Sequence, residues 1–396
     1  MTSEDRSIKA TCLCGRAAHT IILPQPEYPL KASFCSCNSC RHMTGTLILS
    51  VVFLPRTYQP TQQLLDQLDG FEFSRKITQY HCKTCGTMVI GRCLDDPDKA
   101  EPTVTWDITT GTLEKWDGEI DVQGFVHLSD TLDGGFADFL PSLNGKTVER
   151  WPGHFRHGEQ LPPGWRAIQT TQVNALPSDR LHAHCKCNGV QFWIARPSDQ
   201  SKQAECSWPD VLVPSTSGKT ENPNNEPWWL QANGTKFLAG TCACDSCRLA
   251  SGTDIVEWAF VPTIDITLDA EGKVPFQRQF GTLRRYDSSP GVTRHFCARC
   301  GAMVFFESHD RPRLLDVAVG LLDAPEGARA ETWLEWHTER LSFREDAMPR
   351  AASLAVAVEE GLEAFARREQ IGSQRRRLAV IKQQARVEGS QEISHR

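Results

Sequence analysis

One arrangement of thiols occurs twice along the chain and limits what the chain can become. Its centre is Cys35-Ser36-Cys37-Asn38-Ser39-Cys40-Arg41 in the first copy and Cys242-Ala243-Cys244-Asp245-Ser246-Cys247-Arg248 in the second. A C-x-C pair precedes each centre (Cys12 and Cys14; Cys185 and Cys187), and a C-x-x-C-G pair follows it (Cys82 and Cys85; Cys297 and Cys300). All but two of the 16 cysteines belong to this order. The exceptions, Cys93 and Cys206, have no sequence neighbourhood that clearly builds the cationic setting of a reactive thiol, and they read as ordinary thiols.

The N-terminal stretch Met1 to Lys9 is polar and lacks the apolar core of a signal peptide, so the cytosol or nucleus is expected. Thiols stay reduced there, and tight clusters then argue for metal rather than disulfides. No run approaches the ~20 apolar residues of a spanning helix, and no membrane partner is expected. A formal net charge of -6 over 396 residues gives no general basic field for nucleic acid.

Internal repetition sets the domain count at two. A first zinc domain is expected over residues 6–150, a Pro- and Gly-rich linker over 151–180, and a second zinc domain over 181–348. Within each copy the pattern is mostly β. Hairpins carry the outer cysteine pairs, with Gly15 and Gly189 at turns whose amides can face the sulfurs. Thr46 to Leu54 and Thr253 to Val261 read as buried central strands, stopped by Pro55 and Pro262. Thr105 to Leu113 and Leu315 to Leu322 continue the strand pattern, and Gly124 to Leu128 and Thr332 to His337 are candidates to close the sheets. Few helical periods occur inside either copy.

The second copy carries an insertion, 197–234, holding Trp208, Trp228 and Trp229. It is either a surface excursion anchored by its aromatics or a lid over the second central loop. From residue 351 the character turns helical: Leu354, Val358, Leu362 and Phe365 form one stripe, and Arg367, Arg368, Arg375, Arg376, Arg377, Lys382 and Arg386 follow. A basic C-terminal helix and tail over 351–396 is expected. Its cations serve either a solvated face or nuclear import and nucleic acid.

The outer pairs combine into four-thiolate sets, the closed arrangement of structural zinc: Cys12, Cys14, Cys82 and Cys85 in one copy, Cys185, Cys187, Cys297 and Cys300 in the other. Such a site is worth ~10 to 16 kcal/mol, against ~5 to 15 kcal/mol for a typical whole domain. The central trios, Cys35, Cys37 and Cys40 and Cys242, Cys244 and Cys247, supply only three ligands. His42 is a candidate fourth in the first copy, but Leu249 stands at the same place in the second. An open position would make the zinc a Lewis acid able to hold an incoming thiol. A distant fourth ligand, or plain metal-free thiols, are the alternatives. Arg41 and Arg248 stand next to the trios as possible counter-charges, as anion-binding groups or in surface ion pairs.

With these motifs the sequence resembles the glutathione-dependent formaldehyde-activating enzyme family, which includes the centromere protein V domain. The resemblance lies in Cys185-Lys186-Cys187, in the run from Cys242 to Gly252, and in Arg285 to Gly301. The first copy keeps all seven thiols and Cys40-Arg41-His42-Met43-Thr44-Gly45, with a more divergent approach to Cys82. The resemblance implies a small, mostly β fold similar to methionine sulfoxide reductase B, with up to two Zn²⁺ per domain. It also implies carbon-sulfur lyase chemistry, joining a glutathione-like thiol to a small aldehyde such as formaldehyde, with the trios as ligands of the reactive zinc. The rival reading is a non-enzymatic zinc module for protein, chromatin or RNA binding.

Overall fold

The computed structural model describes residues 5–168 and 179–393. Part of the expected linker, 169–178, and the end of the tail, 394–396, lie outside the described residues. The architecture is mostly β, in two sheet-rich domains followed by a long C-terminal helix.

The sheets repeat one another in strand order, the second with one extra two-residue strand, Leu230–Gln231, on Lys236–Cys242. In the first copy the order is Leu68–Ser74, Ile77–Cys82, Met88–Leu94, Val104–Thr109, Leu49–Phe53, Leu30–Cys35, Ile120–Val126. In the second it is Leu283–Ser289, Val292–Cys297, Met303–Ser308, Leu314–Ala318, Val256–Pro262, Lys236–Cys242, with Leu334–Trp336 pairing on the last of these. Only that closing joint is parallel, in both copies. The β-branched and aromatic runs around Val51 and Trp258 are buried central strands, as their composition requires. They start later than expected, because Thr46 and Thr253 are used in a contact between the copies, Oγ1 to Oγ1 at 3.3 Å.

Two seven-residue helices, Asn38–Thr44 and Asp245–Ser251, begin inside the central cysteine motifs. Sequence periodicity gave no hint of them, since two turns are too short to show a stripe. Their start is chemical: the Sγ of Cys37 accepts from the Cys40 N–H, and that of Cys244 from the Cys247 N–H, both at 3.3 Å. Gly45 and Gly252, at φ +82° and +84°, end them in the left-handed conformation.

These ends are where the two copies meet. A Cβ on Gly45 would overlap the carbonyl oxygen of Met303, and one on Gly252 that of Met88. Gly320 N donates to Gly45 O and Gly111 N to Gly252 O, both at 2.9 Å. Arg41 and Arg248 extend the same contact. Arg41 Nη1 donates to the carbonyls of Gly320 and Leu322 (3.1 and 2.7 Å), and Arg248 Nη1 to that of Gly111 (2.7 Å). Both guanidiniums are buried at the interface, and Arg248 also ion-pairs with the exposed carboxylate of Asp245 on its own helix at 2.6 Å.

The C-terminal helix, Arg344–Ile393, starts earlier than expected and is broken at Ala351 (φ -142°), two residues after Pro349. Its predicted stripe Leu354, Val358, Leu362 and Phe365 is buried, and Phe365 meets Phe139 of the first copy edge to face at 5.1 Å. Arg350 ion-pairs with Asp254 of the second copy, which also accepts from Thr110 of the first. The side chains of Arg375, Arg376, Arg377, Lys382 and Arg386 lie outside the described residues.

Two measurements probe this interface. Gly252→Ala combines a forbidden φ with a backbone overlap, so it should cost about 2 to 4 kcal/mol in chemical denaturation; a loss below 0.5 kcal/mol, roughly the scale of an ordinary surface change, would mean that the copies are not held this closely. Glu257 is buried on a central strand of the second copy, with Oε2 accepting from Leu47 N of the first (2.8 Å) and Oε1 without a partner. Burial pushes its carboxyl from 4.5 up to about 8. The folded state therefore keeps a proton that the unfolded chain releases: this stabilisation is complete below pH 4.5 and is lost as pH rises toward 8. Glu257→Gln should melt progressively higher than wild type as pH rises through that window, and a constant difference in melting temperature would refute the assignment.

Candidate metal centres and the cavity of the second copy

In each copy the outer cysteine pairs converge across the sheet. Cys12 and Cys14 reach Cys82 and Cys85, and Cys185 and Cys187 reach Cys297 and Cys300, with the four sulfurs of each set within 4.8 Å of one another. Separations such as Cys12 to Cys14 (3.5 Å), Cys14 to Cys82 (3.6 Å) and Cys187 to Cys297 (3.5 Å) are far too long for disulfides. They approach the ~3.8 Å edge of a tetrahedron of sulfurs ~2.3 Å from one ion. The turns are built as expected, with amides facing sulfur: Ala17 N to Cys12 Sγ and Val190 N to Cys185 Sγ, both 3.3 Å. In the second copy Asn188, at φ +55°, takes the left-handed position. A register shift just before each C-x-x-C, at Tyr80/His81 and His295/Phe296, bends the strand so that the knuckle can fold back.

The central cysteines gather as two trios, each also within 4.8 Å. Hydrogen bonds from Cys242 and Cys244, with Arg294 beside it, hold the Cys247 thiol well below its usual range despite burial. Hydrogen bonds from Cys35 and Cys40 do the same for Cys37. The donor chemistry of all four clusters fits zinc.

His42 does not join its trio. Two residues along a helix is a rotation of ~200°, so the ring points away from Cys40 and places Nδ1 2.7 Å from the carbonyl oxygen of His184. Arg41 and Arg248 likewise point away, into the opposite copy. The cation that does lie against thiolates is Arg294, whose Nη1 and Nη2 are both 3.6 Å from Cys247 Sγ. It is buried. The signal available in the sequence was its place three residues before Cys297, where the first copy has Gln79.

Around the second trio lies a cavity of about 450 Å³. Cys242, Cys244 and Cys247 line it together with Trp258, Arg294 and Phe306, and the insertion supplies Trp208, Asp210, Val211 and Trp228. The insertion is therefore both anchored and part of the wall. Its aromatics pack on Leu238, Phe260 and Leu314, and Asp210 accepts from Phe343 N at 2.7 Å. Cys206 also faces this cavity, and burial pushes its thiol up to about 12, as it does for Cys93. The first trio has different surroundings: Met43, Leu49, Val51, Met88, Phe71 and Phe73 pack around it.

The family model for the glutathione-dependent formaldehyde-activating enzyme matches residues 7–125 and 230–339, more than half of the chain. The chain belongs to that family. Both copies of the glutathione-dependent formaldehyde-activating pattern are matched, and the second match opens at residue 230, within the last residues of the insertion. Cys185 and Cys187 fall outside it, yet the fold delivers them to Cys297 and Cys300. No curated protein and no solved structure matches the chain.

Closed and open clusters should respond differently to mutation. Cys300→Ser removes one of four ligands of a buried set and should lower the melting temperature by more than about 10 °C, given the size of structural zinc energies. Cys244→Ser should keep the secondary structure and lose about one zinc per chain in elemental analysis. Cys85→Ser and Cys37→Ser should show the same contrast in the first copy. Equal melting losses for Cys244→Ser and Cys300→Ser would make the central trio structural as well.

Proposed function

We propose that the second copy carries a carbon-sulfur lyase site that joins a thiol of the glutathione class to a small aldehyde. The observation that carries this reading is the cavity at Cys242, Cys244 and Cys247, with Arg294 against Cys247. A zinc ion on the trio would supply Lewis acidity and hold an incoming thiol in its thiolate form. Arg294 offsets the negative charge that three thiolates concentrate in a buried place, and so keeps the sulfur of a fourth, substrate thiol from being repelled. The apolar wall of Trp258, Phe306 and Trp228 excludes water from the reacting carbonyl. Ser288, Ser289 and Ser308 line the same cavity and offer hydroxyls to the aldehyde oxygen. The bond formed is sulfur to carbonyl carbon; the thiol proton ends on the carbinol oxygen, so the reaction balances without a redox partner.

The same reading assigns the outer four-cysteine sets to structural zinc, and the first trio to a site without this reaction, since Gln79 replaces Arg294 there. Among the described residues no helix is long and apolar enough to cross a membrane. Clustered thiols of this kind suit a reducing compartment, and we place the protein in the cytosol or nucleus.

Zinc-loaded protein mixed with a panel of thiols and aldehydes tests the proposal through adduct formation followed by NMR. Arg294→Gln, which copies the first-copy residue, should lower kcat/KM by roughly 10- to 1000-fold, the scale of losing one preorganised electrostatic partner. Cys244→Ser should abolish turnover, whereas Cys37→Ser, which leaves the second trio whole and reaches its cavity only through the contact of Arg41 with Gly320 and Leu322, should lower it only in part. Full activity in Cys244→Ser, or no adduct with any pair, would overturn the reading.

A further inference from the structure

A third kind of side-chain cluster lies at the seam between the copies, outside every cysteine set. The strand Arg180–His184 buries Leu181 and Ala183, so alternation turns His182 and His184 to its other face. Two imidazoles at i and i+2 on one strand face point the same way. They are held in a stack of four rings: His182 on Trp193 (4.7 Å, 19°), His184 on His182 (4.9 Å, 27°), and His42 of the first copy on His184 (4.1 Å, 14°). Asp323 completes the group from the adjoining loop, tied there by its N–H donating to the carbonyl of His182 at 2.9 Å.

One ring nitrogen from each histidine and a carboxylate oxygen of Asp323 lie within 4.8 Å of one another. His182 Nε2 is buried without a hydrogen-bond partner. His184 Nδ1 lies 3.1 Å from the carbonyl oxygen of Cys185, which makes it the protonated nitrogen and leaves Nε2 as a lone-pair donor. Packing accounts for the ring stack. It does not account for an unpartnered buried nitrogen beside a second free one, with a carboxylate at their edge.

We propose that His182, His184 and Asp323 form a mononuclear site for a borderline divalent ion of the zinc, cobalt or nickel type, distinct from the cysteine clusters and independent of the lyase reading. Two imidazoles and a carboxylate are a sufficient donor set for such ions, with further positions left for solvent. Coordination at ~2.0 to 2.2 Å needs the donors ~3.3 Å apart, so the His182 and His184 rings must turn toward one another as the exposed Asp323 side chain rotates in. Arg41, on the carbonyls of Gly320 and Leu322, opposes a cation here. The site is therefore weaker than the four-thiolate sets and is emptied first by a chelator.

The test is Co²⁺ titration of full-length, zinc-loaded protein after brief dialysis against a mild chelator. Wild type should take up one Co²⁺ with visible d–d bands and no sulfur-to-cobalt charge transfer. His182→Ala should lose that equivalent. Asp323→Ala changes an exposed residue and should fold normally, yet bind this ion about tenfold more weakly or worse, since even outer-shell partners of a metal are worth that much. Unchanged uptake in Asp323→Ala, or charge transfer from every Co²⁺ bound, overturns the proposal.

Discussion

Each three-cysteine helix is finished by the other copy of the repeat. Cys40 and Cys247 are placed by helices of two turns, too short to stand alone in water. Their left-handed glycine ends abut the opposite chain segment, and the arginine after the last cysteine is spent on that segment's carbonyls. The geometry of either trio is thus a property of the pair. Buried charge reinforces this: Arg329 of the second copy lies among Asp133 and Asp138 of the first, at 3.8 and 3.4 Å. Ion pairs so deeply desolvated add little net stability, but removing one member leaves an uncompensated charge, so they disfavour any other arrangement of the two sheets.

What was legible in the sequence was what repeats or has a period. The thiol order divided correctly into sets of four and three, the β-branched runs around Val51 and Trp258 became central strands, and the stripe from Leu354 to Phe365 became a buried helix face. What was not legible depends on residues far apart in sequence. Arg41 meets Gly320, a separation of 279 residues, and nothing local distinguishes its direction from that of a cation serving the neighbouring thiolates. Arg294 is hidden for the complementary reason: it stands on a strand 47 residues from Cys247, and only the fold brings the two together. His42 was misplaced because spacing by number ignores the rotation of a helix that the sequence did not announce.

The copies share a scaffold and differ in charge. Asp316 of the second copy is gripped by Arg311, with paired contacts of 2.7 and 2.9 Å, and both line the cavity with Arg294. By repeat position Asp107 is its counterpart in the first copy; its neighbours are Gln79, Gly91 and Cys93, and burial pushes its carboxyl up to about 6. Phe71 and Phe73 close in on the first trio. Near the first trio Lys186 lies over Phe73 and donates to Ser39 rather than to a sulfur, whereas the second trio has Arg294 directly on Cys247 and a cavity beside it.

A trio without a reaction still has mechanical work, and the contacts say where it goes. A metal on Cys35, Cys37 and Cys40 would fix the start of the helix whose next residue, Arg41, holds the carbonyls of Gly320 and Leu322. The turn containing Gly320 directly continues the strand Leu314–Ala318, and that strand presents Asp316, hence Arg311, to the cavity of the second copy. One rigid path therefore runs from the first trio to the wall of the proposed reaction site. The reciprocal path, through Arg248 to Gly111, ends on the strand carrying Asp107, which among the described residues has no arginine paired with it as Arg311 pairs with Asp316. The seven thiols of the first copy then have a use without a reaction of their own: with a metal bound, the first trio would hold the helix whose Arg41 braces the wall of the second copy's cavity.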